Sequence, residues 1–177
     1  MINIFSKIKT KTSIKNPYWN YNVDDYILPS GISKEYHYVD SRGSTIIIPK
    51  LDEETFILIE QFRYLNQKLS LEFPGGGITE NLNFEKNAQK ELNEETGFKA
   101  NKIELLGTFN PFIGVTNEIC YVFLASDLVF TNSKPEITEQ IKVVKMLKNE
   151  INLSIQSNKI WSGMSISSWF LYLLKNG

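Results

Sequence analysis

The stretch that decides the fold is residues 71–98, which read LEFPGGGITENLNFEKNAQKELNEETGF. A strand is predicted to end at Phe73, because Pro74 lacks the backbone N–H that a continuing strand needs. Three consecutive glycines follow, and glycine lets a ligand or a neighbouring chain approach the backbone closely. The sequence therefore predicts a strand, a glycine loop and then a helix.

The helix is predicted over residues 84–96, because apolar residues recur at a spacing of four. Asn83 is a suitable N-cap, and Glu85 in the first turn complements the helix dipole. Gly97 suits the left-handed residue that ends a helix. The apolar face is formed by three residues: Phe84, Ala88 and Leu92.

The last turns of this helix carry three acids, Glu91, Glu94 and Glu95, on one side. Like charges at these spacings cost a few tenths of a kcal/mol per pair, and they lie at the negative end of the helix. A divalent cation would reverse that cost, since Mg2+ takes carboxylate oxygens. The alternative is a solvated face, because Lys86 and Lys90 share a spacing of four with Glu94.

At a fixed spacing, the glycine and the acids together resemble the Nudix box, G-x5-E-x7-R-E-U-x-E-E-x-G-U, in which U is a bulky apolar residue. Two positions depart from it, since Leu82 replaces the early glutamate and Lys90 replaces the arginine. In the family that arginine helps to orient the metal-binding acids, and lysine keeps the charge without the planar fork. The matching positions are Gly76, Glu91, Leu92, Glu94, Glu95, Gly97 and Phe98.

The preceding residues 57–76, ILIEQFRYLNQKLSLEFPGG, resemble the ADP-ribose pyrophosphatase branch of the Nudix hydrolases. In that branch a strand with a Gln-x-Arg-like motif precedes an E-x-P-x-G segment. The resemblance implies that Arg63 contacts a substrate phosphate, that Glu72 lies against ribose or near the metal, and that Gly76 belongs to the substrate site. Residues 105–128 resemble the same branch.

The resemblance implies an enzyme that hydrolyses the diphosphate bond of a nucleoside diphosphate linked to another moiety. The leading expectation is ADP-ribose giving AMP and ribose 5-phosphate, with Mg2+ as cofactor and Mn2+ as a substitute. Glu95 would also be catalytic, and a loop glutamate, Glu139 first and Glu136 second, would be the general base. The implied metal ligands are Glu91, Glu94, Glu95 and the Gly75 carbonyl.

Three alternatives stay open. Other substrates are a sugar nucleotide such as GDP-mannose or a nucleoside triphosphate. A third alternative is a nucleotide-sensing Nudix module with weak or no catalysis. Leu82 and Lys90 favour the sensor, whereas the intact set of three acids opposes it.

Composition excludes other chemistries. The chain has 177 residues, 42% hydrophobic and 22% charged, with one histidine, His37, and one cysteine, Cys120. A single cysteine excludes an intramolecular disulfide framework, and a single histidine excludes a multi-histidine metal site. The net charge of -1 does not indicate nucleic acid or a membrane as partner. The cytoplasm is the expected location.

The chain as a whole, residues 1–177, is predicted to be one Nudix domain of mixed α/β (α+β) class. The expected architecture is an α/β/α sandwich with a mixed sheet between helices. Residues 1–43 are expected to contribute strands to a homodimer, as in the family, and their short lysine run is expected to be solvated. The predicted strands span residues 36–39, 44–49, 55–63, 103–109, 116–125 and 139–147; a second helix spans residues 165–175; and a functional loop spans residues 127–138.

Overall fold

The computed structural model describes residues 4–131 and 140–176. Within them the chain forms ten strands, three α-helices and one 3-10 turn at Tyr64–Asn66. The strands are β1 (Ser6–Lys15), β2 (Asn20–Ile27), β3 (Ser33–Asp40), β4 (Ser44–Pro49), β5 (Thr55–Arg63), β6 (Lys68–Glu72), β7 (Gly75–Gly77), β8 (Phe98–Phe109), β9 (Cys120–Phe130) and β10 (Ile141–Leu147). The helices are α1 (Phe84–Thr96), α2 (Lys148–Gln156) and α3 (Gly163–Asn176).

The chain divides into two compact units. The first contains the residues up to Gly43 together with Asn110–Ile119. It is built on an antiparallel sheet in the order β1-β2-β3. The second contains Ser44–Phe109 and Cys120 onward. The Nudix-like segment lies entirely in the second unit.

The second unit is organised around a mixed sheet in the order β7-β4-β9-β8. Strands β4 and β9 are parallel, whereas β7 and β8 each pair antiparallel with their neighbour. A second, antiparallel sheet has the order β10-β5-β6. Strand β4 is buried along its whole length, as expected for a strand covered on both faces.

Alternation along β4 separates two hydrophobic cores. Ile47 packs with Ala88 and Leu92 of α1 on one side of the mixed sheet. Ile46 and Ile48 belong to the other core, which buries side chains of the second sheet, α2 and α3. Helices therefore cover both sides of the mixed sheet, and the predicted α/β/α architecture is confirmed. Members of the larger core include Phe56, Leu58, Val122, Ile151, Trp169 and Tyr172.

Helix α1 has the predicted bounds and the predicted caps. The Asn83 side chain accepts a hydrogen bond from the Lys86 N–H at 2.8 Å. Gly97 ends the helix with φ 76°, in the left-handed region, and its N–H donates to the Asn93 carbonyl. The N-cap Asn83 and the C-terminal Gly97 therefore each form a hydrogen bond with a residue three or four positions away in the helix.

Strands β4 and β5 also match the prediction, but other elements differ. Strands β1 and β2 and helix α2 were not predicted, and β8 begins five residues earlier, at Phe98. The three glycines, predicted to be a loop, instead form the short strand β7, because they pair with β4. Strand β9 begins at Cys120 rather than at residue 116, and it continues through residues 127–130, which were predicted to be loop. Residues 128–130 pair with the start of β8, and the β-branched Val129 and the aromatic Phe130 favour a strand. Residues 132–138 of that predicted loop lie outside the described residues.

The lysine run of the N-terminus forms strand β1, and all ten of its residues are exposed. Its lysines are solvated, as predicted, but three of them also pair with acids of β2 and β3. The pairs are Lys7–Asp24 at 2.9 Å, Lys9–Asp25 at 3.7 Å and Lys11–Glu35.

No helix among the described residues is both long enough and apolar enough to span a lipid bilayer. The single cysteine, Cys120, is fully buried at the start of β9 and belongs to the larger core.

Candidate active site

The glycine loop lies directly against β4. Strand β7 pairs antiparallel with β4, with Gly75 opposite Ile46 and Gly76 opposite Thr45. A Cβ added at Gly75 would lie 2.2 Å from the Thr45 carbonyl oxygen, which is inside van der Waals contact. Close backbone packing therefore requires glycine at position 75, so this residue has a structural role.

Gly76 meets a different neighbour. A Cβ added there would lie 2.6 Å from Oε2 and 2.9 Å from Cδ of Glu91. The backbone of the loop thus touches the carboxylate of Glu91, the first of the three clustered acids, whose side chain is 13% exposed. Glycine at this position lets the carboxylate lie against the loop.

Glu95, one turn further along α1, is joined to the same loop. Its Oε2 accepts a hydrogen bond from the Gly75 N–H at 2.7 Å, and the residue is only 4% exposed. A charged carboxylate this deep is costly unless it is paired and hydrogen-bonded. The structure therefore brings Glu91, Glu95 and the two loop glycines together.

Lys90 connects the remaining acid to this group. Its Nζ lies 2.6 Å from Glu94 Oε2 and 3.2 Å from Glu91 Oε1. Partial burial lowers the pKa of Lys90, but the hydrogen bond to Glu94 and the charge of Glu91 outweigh it, so the pKa is raised above 10.5. Lysine at the position of the Nudix-box arginine thus stays protonated and contacts both acids as a point charge.

Arg63 and Glu72 bind each other. Arg63 Nε donates to Glu72 Oε1 at 2.7 Å, and Arg63 Nη2 donates to Glu72 Oε2 at 2.5 Å. The strand register puts both on the same face, with the pair Gln61–Ser70 between them. Glu72 is buried while the Arg63 side chain is 43% exposed. The buried acid therefore holds the guanidinium of a partly exposed side chain.

One site residue was missed from the sequence: Asn87. It is fully buried on α1, and its Nδ2 donates to Thr45 Oγ1 at 2.9 Å and to the Gly77 carbonyl at 3.3 Å. Its Oδ1 accepts from the Thr79 N–H at 2.9 Å. The available signal was spacing, because Asn87 precedes Glu91 and Glu95 by four and eight residues, which is one stripe of a helix.

The donors present fit a hard divalent cation. Three carboxylates lie on adjacent turns of α1, and two of them are largely buried against the glycine loop. Their oxygen atoms are the type of ligand that Mg2+ prefers. Within residues 4–131 and 140–176, however, no three Asp, Glu, His or Cys side chains are gathered so as to hold one ion. Glu94 instead faces Lys90, so a cation bound by all three acids requires Glu94 to turn away from that ammonium.

The two predicted general bases, Glu136 and Glu139, lie outside the described residues. The strand expected to start at Glu139 is described from Ile141 onward as β10, which pairs with β5. Their role stays a prediction.

Comparison with known families identifies the class. Residues 41–156 match the NUDIX domain, so the chain belongs to the NUDIX domain family. The prediction of a Nudix pyrophosphohydrolase of the ADP-ribose pyrophosphatase branch is confirmed at the level of family and enzyme class.

The chain is similar in sequence to several characterised proteins. The ADP-ribose pyrophosphatase of Bacillus subtilis (strain 168) is 28% identical over 141 residues, which is 78% of this chain and 76% of that protein. The GDP-mannose pyrophosphatase of Yersinia pestis (strain Pestoides F) is 28% identical over 137 residues, covering 73% of this chain and 69% of that protein. The methanol dehydrogenase activator of Bacillus methanolicus is 24% identical over 161 residues, covering 90% and 87%.

A solved structure supports the fold. The crystal structure of an ADP compounds hydrolase superposes with a TM-score of 0.84 at 19% identity, covering 97% of this chain and 94% of that chain. At this identity the likeness concerns the fold alone.

Proposed function

We propose that this protein hydrolyses ADP-ribose to AMP and ribose 5-phosphate in a reaction that depends on Mg2+, with Mn2+ as a substitute. The observation that carries the proposal is the contact of Glu91 and Glu95 with the glycine loop at Nudix-box spacing. The similarity to an ADP-ribose pyrophosphatase over most of both chains supports this substrate.

Each residue of the site has a proposed role. Glu91, Glu94, Glu95 and the Gly75 carbonyl hold the metal, which when bound neutralises the diphosphate and the charge that develops during displacement. The loop around Gly76 brings its backbone close to the diphosphate. Water attacks one phosphorus and the other phosphate leaves as a monoester.

Arg63 is proposed to bind a substrate phosphate. A planar guanidinium suits bidentate recognition of a phosphate, and the bidentate contact with Glu72 orients it. The buried Glu72 thus fixes the direction of the fork before substrate arrives. Glu72 is proposed to lie against the ribose or near the metal.

The general base that takes the proton of the attacking water is proposed to be Glu139, with Glu136 as the second candidate. A base on a segment between strands would join the site only around bound substrate. The variants Glu139→Gln and Glu136→Gln separate the two, since only the base variant loses kcat at unchanged metal affinity.

A second substrate is favoured by a specific observation. The GDP-mannose pyrophosphatase relative has the same identity to this chain as the ADP-ribose pyrophosphatase relative. Nucleotide sensing without hydrolysis stays a third candidate. Leu82 and Lys90 depart from the Nudix box, and Lys90 forms an ion pair with Glu94, one of the proposed metal ligands.

One panel separates these candidates. Purified protein with Mg2+ is incubated with ADP-ribose, GDP-mannose, a dinucleotide and a nucleoside triphosphate, and products are resolved by ion-exchange chromatography. We expect AMP from ADP-ribose at the highest kcat/KM. A higher kcat/KM on GDP-mannose would replace the substrate, and binding without any product would support the sensor.

The proposal extends to assembly and location. The first unit, with strands β1, β2 and β3, is proposed to form the contact of a homodimer, as the Nudix resemblance implies, and the cytoplasm is the proposed compartment. Light scattering on the full chain after size exclusion tests the dimer, and a mass near 20.4 kDa would contradict it.

A further inference from the structure

Helix α1 is fastened to its surroundings by three side-chain carboxamides. Gln89 Nε2 donates to the Ala100 carbonyl at 2.7 Å, and its Oε1 accepts from the Ala100 N–H at 3.3 Å. Asn93 Nδ2 donates to Thr131 Oγ1 at 2.5 Å. The third carboxamide, Asn87, has the three hydrogen bonds described above. Gln89 and Asn93 thus bind the helix to β8 and to the residue that follows β9, while Asn87 binds it to the glycine loop.

The bonds of Asn87 span the loop on the side that Glu95 does not reach. Glu95 holds the Gly75 N–H, whereas Asn87 holds the Gly77 carbonyl and the Thr79 N–H. Helix α1 is therefore hydrogen-bonded to both ends of the loop. The segment between these hydrogen bonds includes Gly76, whose backbone lies against the Glu91 carboxylate.

Asn87 is suited to this task because its amide is neutral and uses both of its ends. Donors and an acceptor on one rigid group fix the loop in one orientation. A carboxylate at the same position would add a third negative charge to the stripe of Glu91 and Glu95 and would repel the Gly77 carbonyl. A fully buried amide that loses its partners is costly, so alternative loop positions are disfavoured.

We propose that Asn87 is a positioning residue that sets the distance of the glycine loop from Glu91 and Glu95, and thereby the affinity of the site for a divalent cation. This inference rests on the proposed metal-dependent function. Asn87 acts through the loop and touches neither metal nor substrate. Groups that orient metal ligands typically contribute about 10–100-fold in affinity or activity.

The test compares Asn87→Ala with Gln89→Ala, which removes a carboxamide of the same helix that binds β8 instead of the loop. In metal-free protein, NMR hydrogen exchange at the Thr79 N–H reports the loop contact, and thermal unfolding reports stability. Mn2+ binding is measured by electron paramagnetic resonance, and kcat and KM are measured at saturating Mg2+. We expect both variants to lose stability, but only Asn87→Ala to lose protection at Thr79 and to bind Mn2+ about tenfold more weakly.

Several outcomes would overturn the inference. Mn2+ affinity that is unchanged in Asn87→Ala, or lowered equally in Gln89→Ala, would reduce Asn87 to a stabilising residue. Should Asn87→Ala fail to fold, Thr45→Val removes one acceptor of the same amide, and unchanged Mn2+ affinity there would have the same meaning.

Failure of the proposed function gives a different pattern. Wild-type protein that binds Mn2+ but hydrolyses no nucleotide would contradict the proposed function, while weaker Mn2+ binding in Asn87→Ala would still support the positioning role. Wild-type protein that binds no Mn2+ would overturn both.

Discussion

Two regions of the molecule treat charge in opposite ways: the sheet of the first unit and the last turns of α1. In the sheet, the three lysines of β1 that pair with acids each have one carboxylate as partner. Residues 90–97 of the helix segment carry three glutamates and a single lysine. The sheet neutralises its charges locally, whereas the helix concentrates negative charge.

Burial makes the difference meaningful. The paired lysines of β1 are more than half exposed, so solvent screens their ion pairs and each stabilises the sheet only slightly. Glu91 and Glu95 are largely buried, where a carboxylate is stable only with close polar or cationic neighbours. The acids of the sheet contribute to its stability, whereas those of the helix are proposed to bind a cation.

The sharpest test of this contrast is Glu95→Gln. The amide oxygen can still accept from the Gly75 N–H, but the charge is gone, so hydrolysis should fall about a hundredfold or more while the fold is kept. The measurement is kcat on ADP-ribose with circular dichroism of the same sample. The matched control is Glu35→Gln in the sheet. A similar loss of activity in both variants would contradict the proposed difference between the acids of the sheet and those of α1.

The two loop glycines should separate folding from metal binding. Gly76→Ala pushes only on the flexible Glu91 side chain, so we expect divalent-ion affinity to fall about tenfold with little loss of stability. Gly75→Ala pushes on the Thr45 backbone carbonyl and should cost about 1–3 kcal/mol or more of unfolding free energy. Calorimetric titration with Mn2+ and urea denaturation measure the two effects. Equal stability loss in both would mean that Gly76 is also only structural.

Adding Mg2+ should stabilise the protein through the helix acids and not through those of the sheet. A ligand at a hundred times its Kd stabilises the folded state by about 2.7 kcal/mol, which thermal unfolding detects. We expect Glu94→Gln to reduce this gain and Glu35→Gln to keep it. Stabilisation by Mg2+ that survives in Glu94→Gln would remove that acid from the proposed ligands.

The smallest effect should come from the pH response of the sheet. The hydrogen bond from Lys7 holds the pKa of Asp24 below 3.8, despite the opposing effect of burial. A lowered pKa means that Asp24 contributes stability above the unfolded pKa, and that this contribution is lost as pH falls through the folded value. Asp24→Asn should therefore be less stable than wild type at pH 7, with the difference shrinking below about pH 4. Urea denaturation at both pH values measures it, and a constant difference would contradict the Lys7–Asp24 contact as its source.

The sequence predicted the parts of the fold that local rules determine. The bounds of α1 followed from Asn83 and Gly97, whose hydrogen bonds lie within the helix ends themselves. Strand β4 followed from a run of β-branched residues that is buried on both faces. Strand β1 was not predicted because it is fully exposed and its alternating lysines and threonines resemble a solvated tail.

The candidate site divides in the same way. The stripe of acids was readable from spacing, but the contact of Arg63 with Glu72 depends on the register of β5 with β6, which a single strand does not encode. Asn87 shared the spacing of the acids and was still missed, because its partners Thr45 and Thr79 lie in other segments. Asn87 belongs to the candidate site only through hydrogen bonds to residues distant in the sequence, which the sequence alone does not reveal.

The burial of Cys120 makes the chain a convenient host for chemical labels. Because the sole native thiol is enclosed in the core, a maleimide dye would react in the folded protein only with a cysteine introduced at the surface. The same thiol becomes reactive when the second unit opens, so its slow modification under native conditions would measure how often that core is exposed.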